Sequence, residues 1–137
     1  MKNFCFAPPA KDLGLFLLRV AAAVVFMYHG WLKLDDMAAT EGFFSSLGIP
    51  AAGFMAWVIA ILEFVGGIAL LLGVQTRSFA FLLGVNMIVA LLVAHFGMSY
   101  QAAELPIVLL GAMFVLWTQG AGNWRIMKEE WICGSAK

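Results

Sequence analysis

The sequence predicts an all-α integral membrane protein, a four-helix bundle in a single domain. Of its 137 residues, 64% are hydrophobic and only 12% are charged, and the mean hydropathy is +0.95. An ordinary soluble domain carries about 25% charged residues. A chain this apolar cannot cover its own surface with polar groups, so the lipid bilayer is its expected solvent. Helices are the expected spanning element, because lipid cannot hydrogen-bond to open backbone groups.

Charge and cysteine content exclude other classes of function. The formal net charge is zero, so there is no electrostatic case for binding nucleic acid. The two cysteines, Cys5 and Cys133, lie near opposite ends of the chain. Neither takes part in a CxxC or Cys/His spacing, so no metal site is predicted.

The hydrophobic runs predict four transmembrane helices, at residues 13–32, 54–74, 79–96 and 102–119. The fourth is the weakest, because Glu104 and Pro106 leave an uninterrupted apolar run only from Leu105 to Trp117. A run that short is also compatible with a buried or re-entrant segment. We expect Pro106 in the first turn of the helix, where its missing N–H is not needed.

Two further segments, 35–47 and 123–132, have amphipathic patterns. The first begins at the cap candidates Asp35 and Asp36 and is ended by Gly48, which predicts a short helix on the outer membrane surface. The second is expected to lie on the inner surface, with tryptophan at the depth of the lipid head groups.

The distribution of Lys and Arg predicts that both termini are cytoplasmic. Only Lys33 lies on the opposite side, and basic residues favour the cytoplasmic face. Both cysteines would then face a reducing compartment, which argues against a disulfide. A cleaved signal peptide at 11–23 is the alternative, disfavoured because Arg19 interrupts its apolar region. The basic residues on the side of the termini are Lys2, Lys11, Arg77, Arg125, Lys128 and Lys137.

Glu63 lies in the middle of the second predicted span. Within the four predicted spans, Arg19 is the one basic residue. Counted from the inner ends of their helices, they are about 15 Å and about 9 Å deep. An isolated charge at mid-membrane costs about 2.5–3.5 kcal/mol, so we expect a bidentate Arg19–Glu63 pair. Two alternatives are that Glu63 is protonated and uncharged, or that the pair only holds the helices in register.

A line of polar residues extends from this pair towards the outer surface. Arg19, His29 and Lys33 lie within an arc of about 80° on the first helix. His95 closes the third helix at the same outer end, and Glu104 opens the fourth. Because intramembrane ionisable residues usually face the bundle interior or a wet cavity, we expect these side chains to converge there as a candidate ligand or proton site.

Asn86 is placed outside this predicted cluster, because it lies about 180° from His95 on the third helix. For His29 and His95, interfacial hydrogen bonding is the simplest alternative role. A bis-histidine haem site is a second alternative, with no support elsewhere in the chain.

Four segments together resemble the DoxX family of small four-helix membrane proteins: "LLRVAAAVVFMYHGWLKL", "FFSSLGIP", "LEFVGGIALLLGVQTR" and "GAGNW". The resemblance runs from about Lys11 to Trp124 and implies a multi-pass protein of the bacterial inner membrane. The family is similar to membrane subunits of sulfur-compound:quinone oxidoreductases. Members often close with Gly-Pro-Gly followed by Ser-x-Asp, whereas 120–124 keeps only the glycines.

The resemblance implies a link to redox chemistry, with a quinone as the candidate cofactor. A quinone head group needs hydrogen-bond donors near the membrane interface and a route for protons, which His29, Lys33 and Glu104 could supply. Alternatively, the protein is a non-catalytic anchor that recruits a soluble redox enzyme through its cytoplasmic tail. A small-solute or proton transporter and a purely structural membrane protein are further alternatives. For partners, a homo-oligomer is the alternative to a soluble redox enzyme.

Overall fold

The computed structural model describes residues 9–94 and 100–126. Within these ranges every regular element is an α-helix, which confirms the predicted fold class. The helices are α1 (Pro9–Asp35), α2 (Met37–Ser46), α3 (Ala52–Leu72), α4 (Thr76–Val93) and α5 (Tyr100–Gln119).

Three stretches, within α1, α3 and α4, are long and apolar enough to cross a bilayer. They are Asp12–Asp35, Ala52–Leu72 and Thr76–Val93, and α5 contributes the shorter apolar stretch Ala103–Gln119. Large apolar side chains such as Val24, Leu92 and Phe114 are exposed on the outside of the bundle. Apolar surface on long helices is what contact with lipid requires, so the protein is a multi-pass membrane protein.

Two helix boundaries differ from the predicted ones in a way that matters for the site. α1 continues to Asp35, beyond the predicted end at residue 32, so Lys33 lies inside the helix. α5 begins at Tyr100, which places Pro106 inside the helix rather than in its first turn. Hydropathy detects where apolar residues end, whereas a helix continues for as long as its backbone hydrogen bonds do.

The short helix α2 begins where the sequence predicts. The side chain of Asp36 caps it by accepting a hydrogen bond of 2.9 Å from the backbone N–H of Ala39. Gly48 follows the helix with a φ of +73°, a left-handed conformation that favours glycine. α2 packs mainly against α3, with Phe44 buried beneath it.

The predicted amphipathic segment 123–132 lies only partly in the described residues. Residues 123–126 are not helical, and the rest of the segment lies outside the described ranges. This part of the chain instead folds back onto the bundle, since the N–H of Ile126 donates to the carbonyl of Leu72 at 3.1 Å.

Two glycines let α1 and α3 pack closely. A Cβ atom added to Gly30 would lie 2.5 Å from the backbone nitrogen of Phe64, and one added to Gly67 would lie 2.9 Å from the backbone nitrogen of Met27. Small residues at such crossings allow helices to approach each other closely in membranes. The contacts Gly30–Phe64 and Gly67–Met27 therefore set the register of the antiparallel α1–α3 pair.

We expect Gly30→Ala to destabilise the bundle by about 1–3 kcal/mol, the usual cost of overpacking, because neither backbone can yield locally. Gly14→Ala is the matched control on the same helix, since nothing lies within 4 Å of its added Cβ. Thermal unfolding in detergent micelles measures both variants. An unchanged midpoint for Gly30→Ala would contradict the close α1–α3 contact.

Candidate functional site

Glu63 is the centre of a polar cluster that joins three helices. Its side chain is 5% exposed and forms a salt bridge of 2.5 Å with Lys33 Nζ. Its other carboxylate oxygen accepts a hydrogen bond of 2.9 Å from Asn86 Nδ2. Lys33, Glu63 and Asn86 come from α1, α3 and α4, so this cluster connects the three helices that are long enough to span the membrane.

The predicted Arg19–Glu63 pair is wrong. Glu63 precedes Phe64, which contacts Gly30, and Arg19 lies eleven residues before Gly30 on α1. At 1.5 Å per residue, Arg19 is about 16 Å further along the helix. The prediction counted both depths from the ends of hydrophobic runs, and it ended the first span one residue before Lys33.

Arg19 instead binds main-chain carbonyls at the other end of the bundle. It is 1% exposed, and its guanidinium donates to the carbonyls of Ala121 at 2.5 Å and Trp124 at 2.6 Å. A longer hydrogen bond of 3.4 Å reaches the carbonyl of Leu71 at the end of α3. We define residues 120–126 as the closing segment. Arg19 therefore holds the closing segment against α1 and α3 through hydrogen bonds.

Asp12 makes a second attachment to the closing segment. Its carboxylate accepts hydrogen bonds from the backbone N–H of Asn123 at 3.3 Å and from Asn123 Nδ2 at 2.7 Å. Together, Asp12 and Arg19 connect the first half of α1 to the chain that follows α5. Arg19 therefore binds the closing segment, away from the Glu63 cluster.

A cavity of about 340 Å³ lies beside the Glu63 cluster. Apolar side chains make up most of its wall, including Phe26 of α1, the α2 aromatics Phe43 and Phe44, and Leu109 of α5. Its polar wall consists of His29, Lys33 and Asn86. Glu63 does not line the cavity but accepts hydrogen bonds from Lys33 and Asn86.

The structure brings together only part of the predicted polar line. His29 and Lys33 line the cavity. His95 lies outside the described residues. Glu104 is exposed and is not part of the cavity wall, although Leu105 and Pro106 are. At about 100° per residue, Glu104 points about 200° away from Pro106, which explains why it does not join the cluster.

The prediction that Asn86 lies outside the cluster is wrong. That prediction rested on the angle between Asn86 and His95, whereas Asn86, Ala90 and Val93 share the face of α4 that lines the cavity. Residues at i, i+4 and i+7 lie on one face of a helix, but Ala90 and Val93 are apolar and do not mark that face in the sequence. The signal that could have identified Asn86 is its polar amide inside an apolar span, because such groups hydrogen-bond across helices. No such signal pointed to Phe43 and Phe44, because their position depends on how α2 packs.

The polar wall can donate hydrogen bonds into an otherwise apolar space. An ammonium group has three N–H donors and a primary amide has two. Lys33 and Asn86 each use one donor on Glu63, which leaves donors for a bound molecule, and His29 adds its ring nitrogens. Among residues 9–94 and 100–126, no group of three or more His, Cys, Asp or Glu side chains could hold a metal ion.

The long apolar helices define a multi-pass membrane protein. The cavity between its helices, apolar except for His29, Lys33 and Asn86, is a candidate site for a small, largely apolar ligand. The chain belongs to the DoxX family, whose family model matches residues 14–96.

Three curated proteins illustrate this relationship. The chain is 35% identical to "Putative oxidoreductase CatD" of Bacillus subtilis (strain 168) over 72% of this chain and 73% of that protein. It is 29% identical to "Inner membrane protein YqjF" of Escherichia coli (strain K12), over 88% of this chain and 97% of the relative. It is 31% identical to "Uncharacterized membrane protein Rv3486" of Mycobacterium tuberculosis (strain ATCC 25618 / H37Rv), over 89% and 86% respectively. No solved structure matches the chain significantly.

Proposed function

We propose that this protein is the quinone-binding membrane component of a redox system. One observation carries the proposal: the apolar cavity ends in a wall of hydrogen-bond donors, His29, Lys33 and Asn86. A quinone head group is a largely apolar ring with carbonyl acceptors, so it matches both parts of this cavity. A relative that is named as an oxidoreductase supports the same assignment.

The size and charge of the cavity suit a quinone head group. Its volume of about 340 Å³ lies at the lower end of the range of about 300–1,000 Å³ that is usual for ligand pockets. Negative charge develops on the carbonyl oxygens when a quinone is reduced, and a nearby ammonium group stabilises that charge. The salt bridge with Glu63 would hold the Lys33 ammonium in place for this interaction.

The position of the cavity affects where a redox partner would dock. The cavity lies beside α2, whereas the closing segment and Arg19 lie at the opposite end of α1. A soluble redox enzyme that exchanges electrons with a quinone in this cavity is therefore expected to dock over α2. Recruitment through the cytoplasmic tail is the competing proposal.

Quinone binding is tested on the purified protein in lipid nanodiscs, with decylubiquinone as the probe. We expect His29→Leu to weaken binding about ten-fold, the effect of losing one hydrogen bond of about 1.4 kcal/mol. Tyr100→Leu is the control, because Tyr100 is 73% exposed and does not line the cavity.

A second variant, Lys33→Met, tests the ammonium group, and we expect at least the same loss. Arg125→Met is its control, since Arg125 is exposed and lies in the closing segment. If wild-type protein does not bind the probe, or if His29→Leu and Lys33→Met both bind it as wild type does, the proposal is overturned.

A further inference from the structure

We propose that the ligand enters the cavity sideways from the lipid, between α2 and the α4–α5 pair, and that it carries an apolar tail which remains in this opening. The assignment of a compact head group with hydrogen-bond acceptors to this ligand rests on the proposed function. The sideways route and the tail rest on separate observations about the helices around the cavity.

The first observation is a gap in the backbone packing. α2 packs against α3 and, less extensively, against α1, while α4 packs mainly against α5. Within the described residues, the backbone of α2 makes no close approach to α4 or α5. Side chains from all three helices nevertheless line the cavity. Among residues 9–94 and 100–126, side chains rather than packed helix backbones therefore separate the cavity from the outside between α2 and the α4–α5 pair.

The second observation is the chemistry of the rim. Phe43 of α2, Val89 and Val93 of α4, and Leu105 of α5 all line the cavity, yet each is between 40% and 53% exposed. All four side chains are apolar. Apolar residues that are exposed on membrane-spanning helices face lipid, which applies here to Val89 and Val93 of α4. An opening towards water would instead carry a polar rim.

The third observation is the direction of the polarity gradient. Asn86 is 8% exposed and lies seven residues before Val93 on α4, about 10 Å along the helix. Asn86 therefore lies deeper in the cavity than the apolar side chains at its mouth. This order suits an amphiphile whose head reaches Lys33 and Asn86 while its tail lies among Val89, Val93 and Leu105.

A tailed and a tailless quinone with related rings, decylubiquinone and ubiquinone-0, test the proposal in nanodiscs. We expect Val93→Trp to weaken binding of decylubiquinone about ten-fold, the loss expected when two methylene groups of the tail no longer find apolar surface. Binding of ubiquinone-0 should change by less than about two-fold. Equal weakening of both probes, or of neither, would overturn the sideways route.

Val58→Trp is the matched control, because Val58 is also 40% exposed and does not line the cavity. We expect this variant to bind both probes as the wild-type protein does. Weakening of decylubiquinone by Val58→Trp as large as that by Val93→Trp would overturn the route, because the effect would then not depend on the opening.

A second measurement separates failure of the sideways opening from failure of quinone binding. A bimane fluorophore is attached at Val93→Cys in a chain in which Cys5 and Cys133 are replaced by serine. Brominated phosphatidylcholine in the nanodisc should quench this fluorophore, and aqueous iodide should not. Quenching by iodide instead would overturn the opening towards lipid, whereas lipid quenching without binding of either quinone would overturn only the ligand assignment.

Discussion

Replacing Glu63 with leucine is expected to destabilise the protein by about 3 kcal/mol, within the range of about 3–5 kcal/mol for removing one partner of a buried ion pair. Glu63 is the shared acceptor for Lys33 and Asn86. Without it, the Lys33 ammonium and the Asn86 amide lose their described partners in an apolar environment. The lower end of the range applies because the Lys33 side chain is 24% exposed and retains some contact with solvent or lipid head groups.

A double-mutant cycle identifies the cause of this loss. Lys33→Met in the Glu63→Leu background removes the unpaired charge, so we expect the double variant to be more stable than Glu63→Leu alone. The coupling energy should be about 1.5–3 kcal/mol, the usual contribution of a hydrogen bond to a charged group. Reversible unfolding in mixed micelles measures the four free energies, and additive effects would contradict the salt bridge.

Glu63→Gln is the isosteric variant that tests the site separately from the fold. Glutamine keeps one acceptor oxygen, so we expect it to retain more stability than Glu63→Leu. It loses the negative charge that holds Lys33, and decylubiquinone binding should therefore weaken even where the bundle stays folded. Equal loss of stability in Glu63→Gln and Glu63→Leu would indicate that charge, rather than hydrogen bonding, supplies the whole effect.

The second large effect is expected at Arg19. Arg19→Met should lower the free energy of unfolding by about 1.5–4.5 kcal/mol. The buried carbonyl of Ala121 loses its donor, which costs about 1–3 kcal/mol, and the part-buried carbonyl of Trp124 loses a hydrogen bond worth about 0.5–1.5 kcal/mol. The loss should be local at first, with the closing segment released from α1. Hydrogen exchange at the backbone amide of Ile126, which bonds to Leu72, measures this release directly.

Arg19→Lys is the conservative comparison for this variant, and Arg125→Met is its control. Lysine keeps the charge but lacks the planar fork that reaches two carbonyls at once, so we expect an intermediate loss. Arg125→Met removes an exposed guanidinium from the closing segment itself and should leave exchange at Ile126 unchanged. Binding of decylubiquinone should survive in any Arg19 variant that remains folded, because Arg19 does not line the cavity.

The helices could be predicted from the sequence because their causes are local. A helix forms through hydrogen bonds between residues four positions apart, and long apolar runs are stable as helices in lipid. The cap at Asp36 depends only on a side chain and the N–H three residues later. For the same reason, α1, α3 and α4 lie close to the predicted spans, and the all-α membrane class follows from composition alone.

The partners of the charged residues depended on tertiary structure. The sequence predicts that Arg19 and Glu63 need polar partners in an apolar bundle, and both have such partners. Which groups satisfy them depends on the register of α1 against α3, and that register is set by the close contacts at Gly30 and Gly67.

Composition, hydrophobic runs and local capping thus determined the class of this protein, its helices and the presence of buried charges. Only the tertiary structure decided that Glu63 binds Lys33 and Asn86, that Arg19 holds the closing segment, and that α2 covers a cavity. The physical reason is how far apart along the chain the interacting residues lie. Helix formation depends on neighbours within one or two turns, whereas these contacts join residues 23 to 105 positions apart, whose meeting depends on how whole helices pack.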